Sequence, residues 1–148
     1  MNSLDAQIVR LLVADGRMSF AEIARQLGVS RAHVQHRVQQ LQDKGVIEKF
    51  AAIVDPEKFG KSVSAFLDVK VLPQGLEKVA RHLAEQPEVV SLYIMTDMRS
   101  LHVHVLVDSY DDLYNLIQSQ VSTQPDVSSV ESQTLLKRIK NRRGGARL

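Results

Sequence analysis

The sequence predicts an α+β chain in two parts, an N-terminal winged helix-turn-helix domain and a C-terminal ferredoxin-like βαββαβ sandwich. Three observations predict it. Apolar residues recur at helical spacing up to Gly45, with a glycine turn between two segments that each start at a serine. Short runs of the second half alternate apolar and polar residues. The pattern Gln86-Pro87-Glu88-Val89 returns 38 residues later as Gln124-Pro125-Asp126-Val127, so that half is built twice.

In order along the chain, Leu4, Ile8, Leu11 and Leu12 mark a first helix over Leu4 to Ala14, stopped by Asp15-Gly16. Ser19 with Glu22 three residues on forms a capping box, and Ile23, Ala24 and Leu27 face inward until Gly28. Ser30 caps a third helix whose buried stripe is Val34, Val38 and Leu41, closed by Lys44-Gly45. Small Ala24 lets two helices cross closely, and Gly28 suits the left-handed backbone of a tight turn. This is a helix-turn-helix. The stretch "VIEKFAAIVDPEKFG" from Val46 then alternates before Asp55-Pro56 and Gly60, which predicts a short strand or wing and a linker. The domains are read as 1–50, a linker 51–62, a ferredoxin-like domain 63–136 and a basic tail 137–148.

In the first repeat, Val63, Ala65, Leu67, Val69 and Val71 alternate along a strand, a helix runs from about Gly75 to Glu85, and Val89 to Thr96 is the next strand. In the second, Leu101 to Val107 is a strand, Tyr110 to Val121 a helix and Val127 to Leu136 the return. Interleaved, they make a four-stranded antiparallel sheet with both helices on one face. The other face is bare. If Leu101, Val103, Val105 and Val107 pack on the helices, His102, His104 and Leu106 point away, beside Ser64, Phe66, Asp68, Lys70 and Leu72 of the first strand. Such apolar surface calls for a cover, so a homodimer is expected, with Phe66, Asp68, His102, His104 and Leu106 at its interface. His102 and His104 share a strand face and Asp68 is a candidate third ligand, but two imidazoles rarely hold a metal. A paired or interface role is expected instead, and no metal.

Charge is unevenly placed. The tail from Lys137 carries six Lys or Arg (Lys137, Arg138, Lys140, Arg142, Arg143, Arg147) and no acid, so the remaining thirteen basic residues face all 17 acids. Two readings of the tail stand side by side: phosphate contacts through counterion release, or a solubilising end. With no cysteine, disulfides and thiolate metal sites are excluded. No basic leader precedes the first apolar stretch, and no run reaches the roughly 18 apolar residues of a membrane span, so a cytoplasmic protein without membrane association is expected. No nucleophile with its base, no paired carboxylates and no phosphate-cradling glycine loop stand at useful spacing. Neither an enzyme nor a cofactor is expected.

The third helix carries the functional signal. From Gly28 to Gln42 it has Arg31, His33, His36 and Arg37 and no acid, whereas a solvated helix face usually mixes both signs. Arg31, His33, Gln35, His36 and Gln40 lie off the buried stripe, with Ala32 among them. Arg and Gln offer the paired groups suited to guanine and adenine edges, while Ser30 and Arg37 suit phosphates. The partner is double-stranded DNA.

Leu4-Asp5, Asp15-Gly16-Arg17, "AEIARQLGVS", Arg37-Val38, Leu41, Gly45, Ile47, Pro56 and Gly60 together resemble the Lrp/AsnC family over nearly the whole chain. The resemblance implies a DNA-binding transcription regulator that dimerises through its C-terminal domain, assembles further into octamers and binds amino acids between dimers. One stretch departs. Where the family's ligand loop usually reads Thr-Gly-x-x-Asp, this chain has Thr96-Asp97-Met98-Arg99-Ser100. The glycine that permits close approach and the acid that holds an ammonium group are both replaced. An effector here is not expected to be an ordinary amino acid; Asp97 and Arg99 suit other charges, or the loop shapes the assembly. The main expectation is a sequence-specific regulator modulated by a small metabolite. The alternatives are an architectural protein that wraps DNA, and a tetrapyrrole-handling enzyme of similar architecture using His102, His104 and Arg99.

Overall fold

A computed structural model describes residues 3–139. Two units emerge, residues 3–53 and Val54–Ile139.

The first unit contains three helices, α1 (Ser3–Ala14), α2 (Phe20–Leu27) and α3 (Arg31–Asp43). Ile8, Leu12, Ile23, Ala24, Val34 and Val38 form its buried centre, with Leu4, Leu11, Met18, Phe20, Leu27, Val29 and Ile47 around it. Each fully buried aliphatic side chain contributes roughly 1.5–3 kcal/mol. A small three-helix unit therefore rests on few residues. The strand or wing expected after Val46 does not form: among the described residues, positions 48–55 have no strand partner. Alternation makes a chain competent to pair, but a ladder needs a neighbouring strand.

The second unit is a four-stranded antiparallel sheet of β1 (Val63–Val71), β2 (Val89–Ile94), β3 (Ser100–Val107) and β4 (Val127–Thr134), in the order β2-β3-β1-β4. Helices α4 (Leu76–Ala84) and α5 (Tyr110–Leu116) follow β1 and β3. Leu67, Val69, Leu101, Val103 and Val105 of the sheet are buried with Leu76, Val79, Leu83, Leu113 and Leu116 of the helices. Both repeats close the same way, with the Val89 amide donating to Gln86 O (3.0 Å) and the Val127 amide to Gln124 O (3.1 Å). Gly75 is needed for packing, because a Cβ there would overlap the Asp126 side chain.

Three boundaries differ from the sequence reading. Strand β2 stops at Ile94 and β4 at Thr134, short of Thr96 and Leu136. The helix expected over Tyr110 to Val121 is α-helical only to Leu116, then turns as a π-helix over Ile117–Val121, where the Ser122 amide reaches Ile117 O at 2.8 Å. On β2 the register with β3 shifts between Val89 and Ser91, so Val90 is an extra residue in a bulge on this outer strand.

Candidate nucleic-acid interface

Helices α2 and α3 are fixed by their ends. Ser19 Oγ accepts the Glu22 amide (3.1 Å), and Gly28 turns left-handed at φ 67° with its amide on Ala24 O. Of the expected capping box only the serine half forms, since the Glu22 carboxylate turns to Arg25 at 3.6 Å. Ser30 Oγ accepts the His33 amide (3.1 Å) and so starts α3. Each cap satisfies a backbone donor that has no partner inside its helix. Val34, Val38 and Leu41 then hold α3 on the core.

With that stripe buried, Ser30, Arg31, Ala32, His33, Gln35 and His36 are exposed, and Gln40 is half-buried with its amide nitrogen 3.0 Å from His36 Nε2. The acid-free face is therefore open to solvent from Ser30 to His36. Asp43 enters only at the end of the helix, where it accepts from Gln39 (2.9 Å). Arg37, expected at a phosphate, is the exception on this face: it is half-buried and already paired within its own unit. Its Nε and Nη2 donate to Asp5 Oδ1 and Oδ2 at 2.8 and 2.7 Å, a two-point pair joining α3 to α1. Asp5 itself is only 4% exposed. Its place next to Leu4 and one turn before Ile8, on the apolar side of the first helix, was the available signal, because a carboxylate that enters a core needs a cation beside it.

In the second unit the bare sheet face forms as expected. Phe66 (49% exposed) stacks on His104 with ring centroids 4.5 Å apart, and His104 Nε2 lies 2.8 Å from Ser64 Oγ. Asp68 pairs in register with His102 on one side and Glu131 on the other, its Oδ1 4.0 Å from His102 Nε2. Leu106 is half-buried. Phe66, Asp68, His102 and His104, together with Tyr93 and Glu131, line a shallow depression of about 400 Å³. Among the described residues, no group of three or more His, Asp or Glu is placed to hold a metal.

The loop Thr96 to Ser100 is internally tied. Asp97 accepts from the amides of Arg99 (3.0 Å) and Ser100 (2.9 Å) and from the Ser100 hydroxyl, while Met98 takes a left-handed φ of 54°. The Ser100 hydroxyl and the Arg99 amide hold the Asp97 carboxyl below its ordinary value, with Lys70 Nζ 4.0 Å away. Ser100 is buried, whereas Thr96, Asp97, Met98 and Arg99 are exposed. No helix among the described residues is long and apolar enough to cross a membrane. In the tail, Lys137 and Arg138 are described; Lys140, Arg142, Arg143 and Arg147 lie outside the described residues.

Comparison with known proteins matches both units. A family model described as the AsnC-type helix-turn-helix domain fits residues 1–42, and one described as the Lrp/AsnC ligand binding domain fits residues 64–144. An HTH-type transcriptional regulator of Pyrococcus horikoshii is 36% identical over 135 residues, spanning 91% of this chain and 85% of its own. The leucine response regulatory protein of Mycobacterium tuberculosis is 31% identical with a TM-score of 0.85, covering 98% of this chain and 99% of that one. AsnC of E. coli is 25% identical with a TM-score of 0.87 over 95% of each chain. A capped helix-turn-helix joined to a ligand-binding sandwich thus belongs to the Lrp/AsnC family of transcriptional regulators.

Proposed function

We propose that this regulator works as a dimer or larger assembly that reads double-stranded DNA sequence-specifically through α3. The exposed, acid-free face from Ser30 to His36 carries the reading. Inserted in the major groove, Arg31 and Gln35 present the two-point donors and acceptors that distinguish guanine and adenine. His33, His36 and Gln40 flank them, Ala32 leaves room for a close approach, and the Ser30 hydroxyl reaches a phosphate. The sheet face with Phe66, Asp68, His102, His104 and Leu106 joins two copies, and dimers assemble further towards an octamer. The chain acts on DNA in the cytoplasm and not as an enzyme.

The loop Thr96 to Ser100 supports a narrower effector reading. Asp97 already takes hydrogen bonds from its own loop, so an ammonium group meets a carboxylate that is largely occupied. An effector at this loop is therefore a small molecule other than an ordinary amino acid, drawn by exposed Arg99.

Selection of bound duplexes from a random pool tests the reading. Two-fold symmetry predicts near-palindromic sites with half-sites about 10 base pairs, or a multiple, apart. Retention without any enriched sequence would favour the second reading, an architectural protein that wraps DNA and uses the same residues with a low ratio of specific to random affinity.

A further inference from the structure

Helix α3 is held on its core by Val34, Val38 and Leu41, all aliphatic. Aliphatic contact sets how far α3 stands from its neighbours but resists rotation about its own axis only weakly, since dispersion has no direction. The Asp5–Arg37 pair differs. A planar guanidinium meeting a carboxylate at two points is directional, and both groups are largely withdrawn from water, with side-chain exposures of 5% and 21%. It joins α3 to α1 on the flank of the exposed face, one turn beyond His33. The cation is also neutralised where it stands, so it offers little net charge to a phosphate.

We propose that Asp5 and Arg37 are positioning residues of the DNA readout: the pair fixes the rotation of α3 in the groove and makes α1 part of sequence discrimination without touching nucleic acid. This rests on the reading of α3 as the recognition helix. It predicts a separation of two measurable quantities. Arg37 adds nothing to the salt dependence of binding, yet the pair controls the ratio of specific to random affinity.

The test titrates the full chain against its selected duplex and a random duplex over a series of salt concentrations. The variants are Asp5→Leu with Arg37→Met, Arg37→Lys alone, and Arg31→Gln for comparison. The apolar pair removes both charges together and leaves no stranded ion in the core. Arg37→Lys keeps the charge and loses the two-point geometry, so it serves also if the double variant fails to fold. Both are expected to keep the wild-type slope of log affinity against log salt while the specific-to-random ratio falls about tenfold. A slope reduced by about 0.9 in the double variant would mean that Arg37 meets a phosphate, and the proposal fails. An unchanged ratio in the folded variants also overturns it, leaving the pair a simple fastening. A wild-type chain that retains no duplex at low salt instead overturns the recognition-helix reading itself.

Discussion

Individual side chains divide into those the fold has used and those it leaves available. Arg31 belongs to the second kind, exposed at the start of α3. Arg31→Ala is expected to cost about 1–3 kcal/mol of discrimination at one base position, measured by competition between the selected duplex and single-base variants. Asp97 belongs to the first. Hydrogen bonds from the Ser100 hydroxyl and the Arg99 amide depress its carboxyl below the ordinary 3.8, so its contribution to stability is complete above that value and disappears as pH falls through the lowered one. Thermal melts of wild type and Asp97→Asn should therefore differ at neutral pH and converge in acid. Neither role of Arg37 and Asp97 was readable in order along the chain. Arg37 looks like any cation on a polar helix face, and its partner lies 32 positions earlier. Asp97 looks like a substituted ligand residue, and only the turn reveals that its oxygens are occupied.

At the level of elements, what was legible is what depends on near neighbours. Helical spacing, serine caps and the left-handed Gly28 need only a few adjacent residues, and all three form where the sequence places them. Ser30→Ala removes the acceptor for the His33 amide and should cost about 1 kcal/mol in thermal or chemical unfolding, with weaker DNA binding from a frayed first turn of α3. The strand expected after Val46 was less legible because pairing depends on a second segment as well as on alternation. The π turn at Ile117–Val121 had no local signature either: Leu113, Leu116 and Val121 are all buried, and the wider turn brings Val121 round to the core.

For the whole molecule, the repeat carried the reading furthest, since two similar strand-helix-strand units leave few ways to make one sheet. Its open face supplies a prediction about assembly. Phe66→Asp places a third carboxylate near Asp68 and Glu131 on a surface proposed to be covered, and should shift sedimentation from dimer or larger species to single subunits. Truncation after Leu136 separates the two readings of the tail: a shallower salt slope means that it neutralises phosphates, and an unchanged slope means that it does not. The outer strand β2, Val-Val-Ser-Leu-Tyr-Ile, has a further consequence for life at high concentration. Such a sequence, laid flat with its backbone groups open, would template a ribbon of chains joined side by side without end. The extra residue at Val90 spoils the spacing that a neighbouring molecule would have to match, and growth along that border is interrupted. Val90 thus works against side-by-side pairing at this border of the sheet.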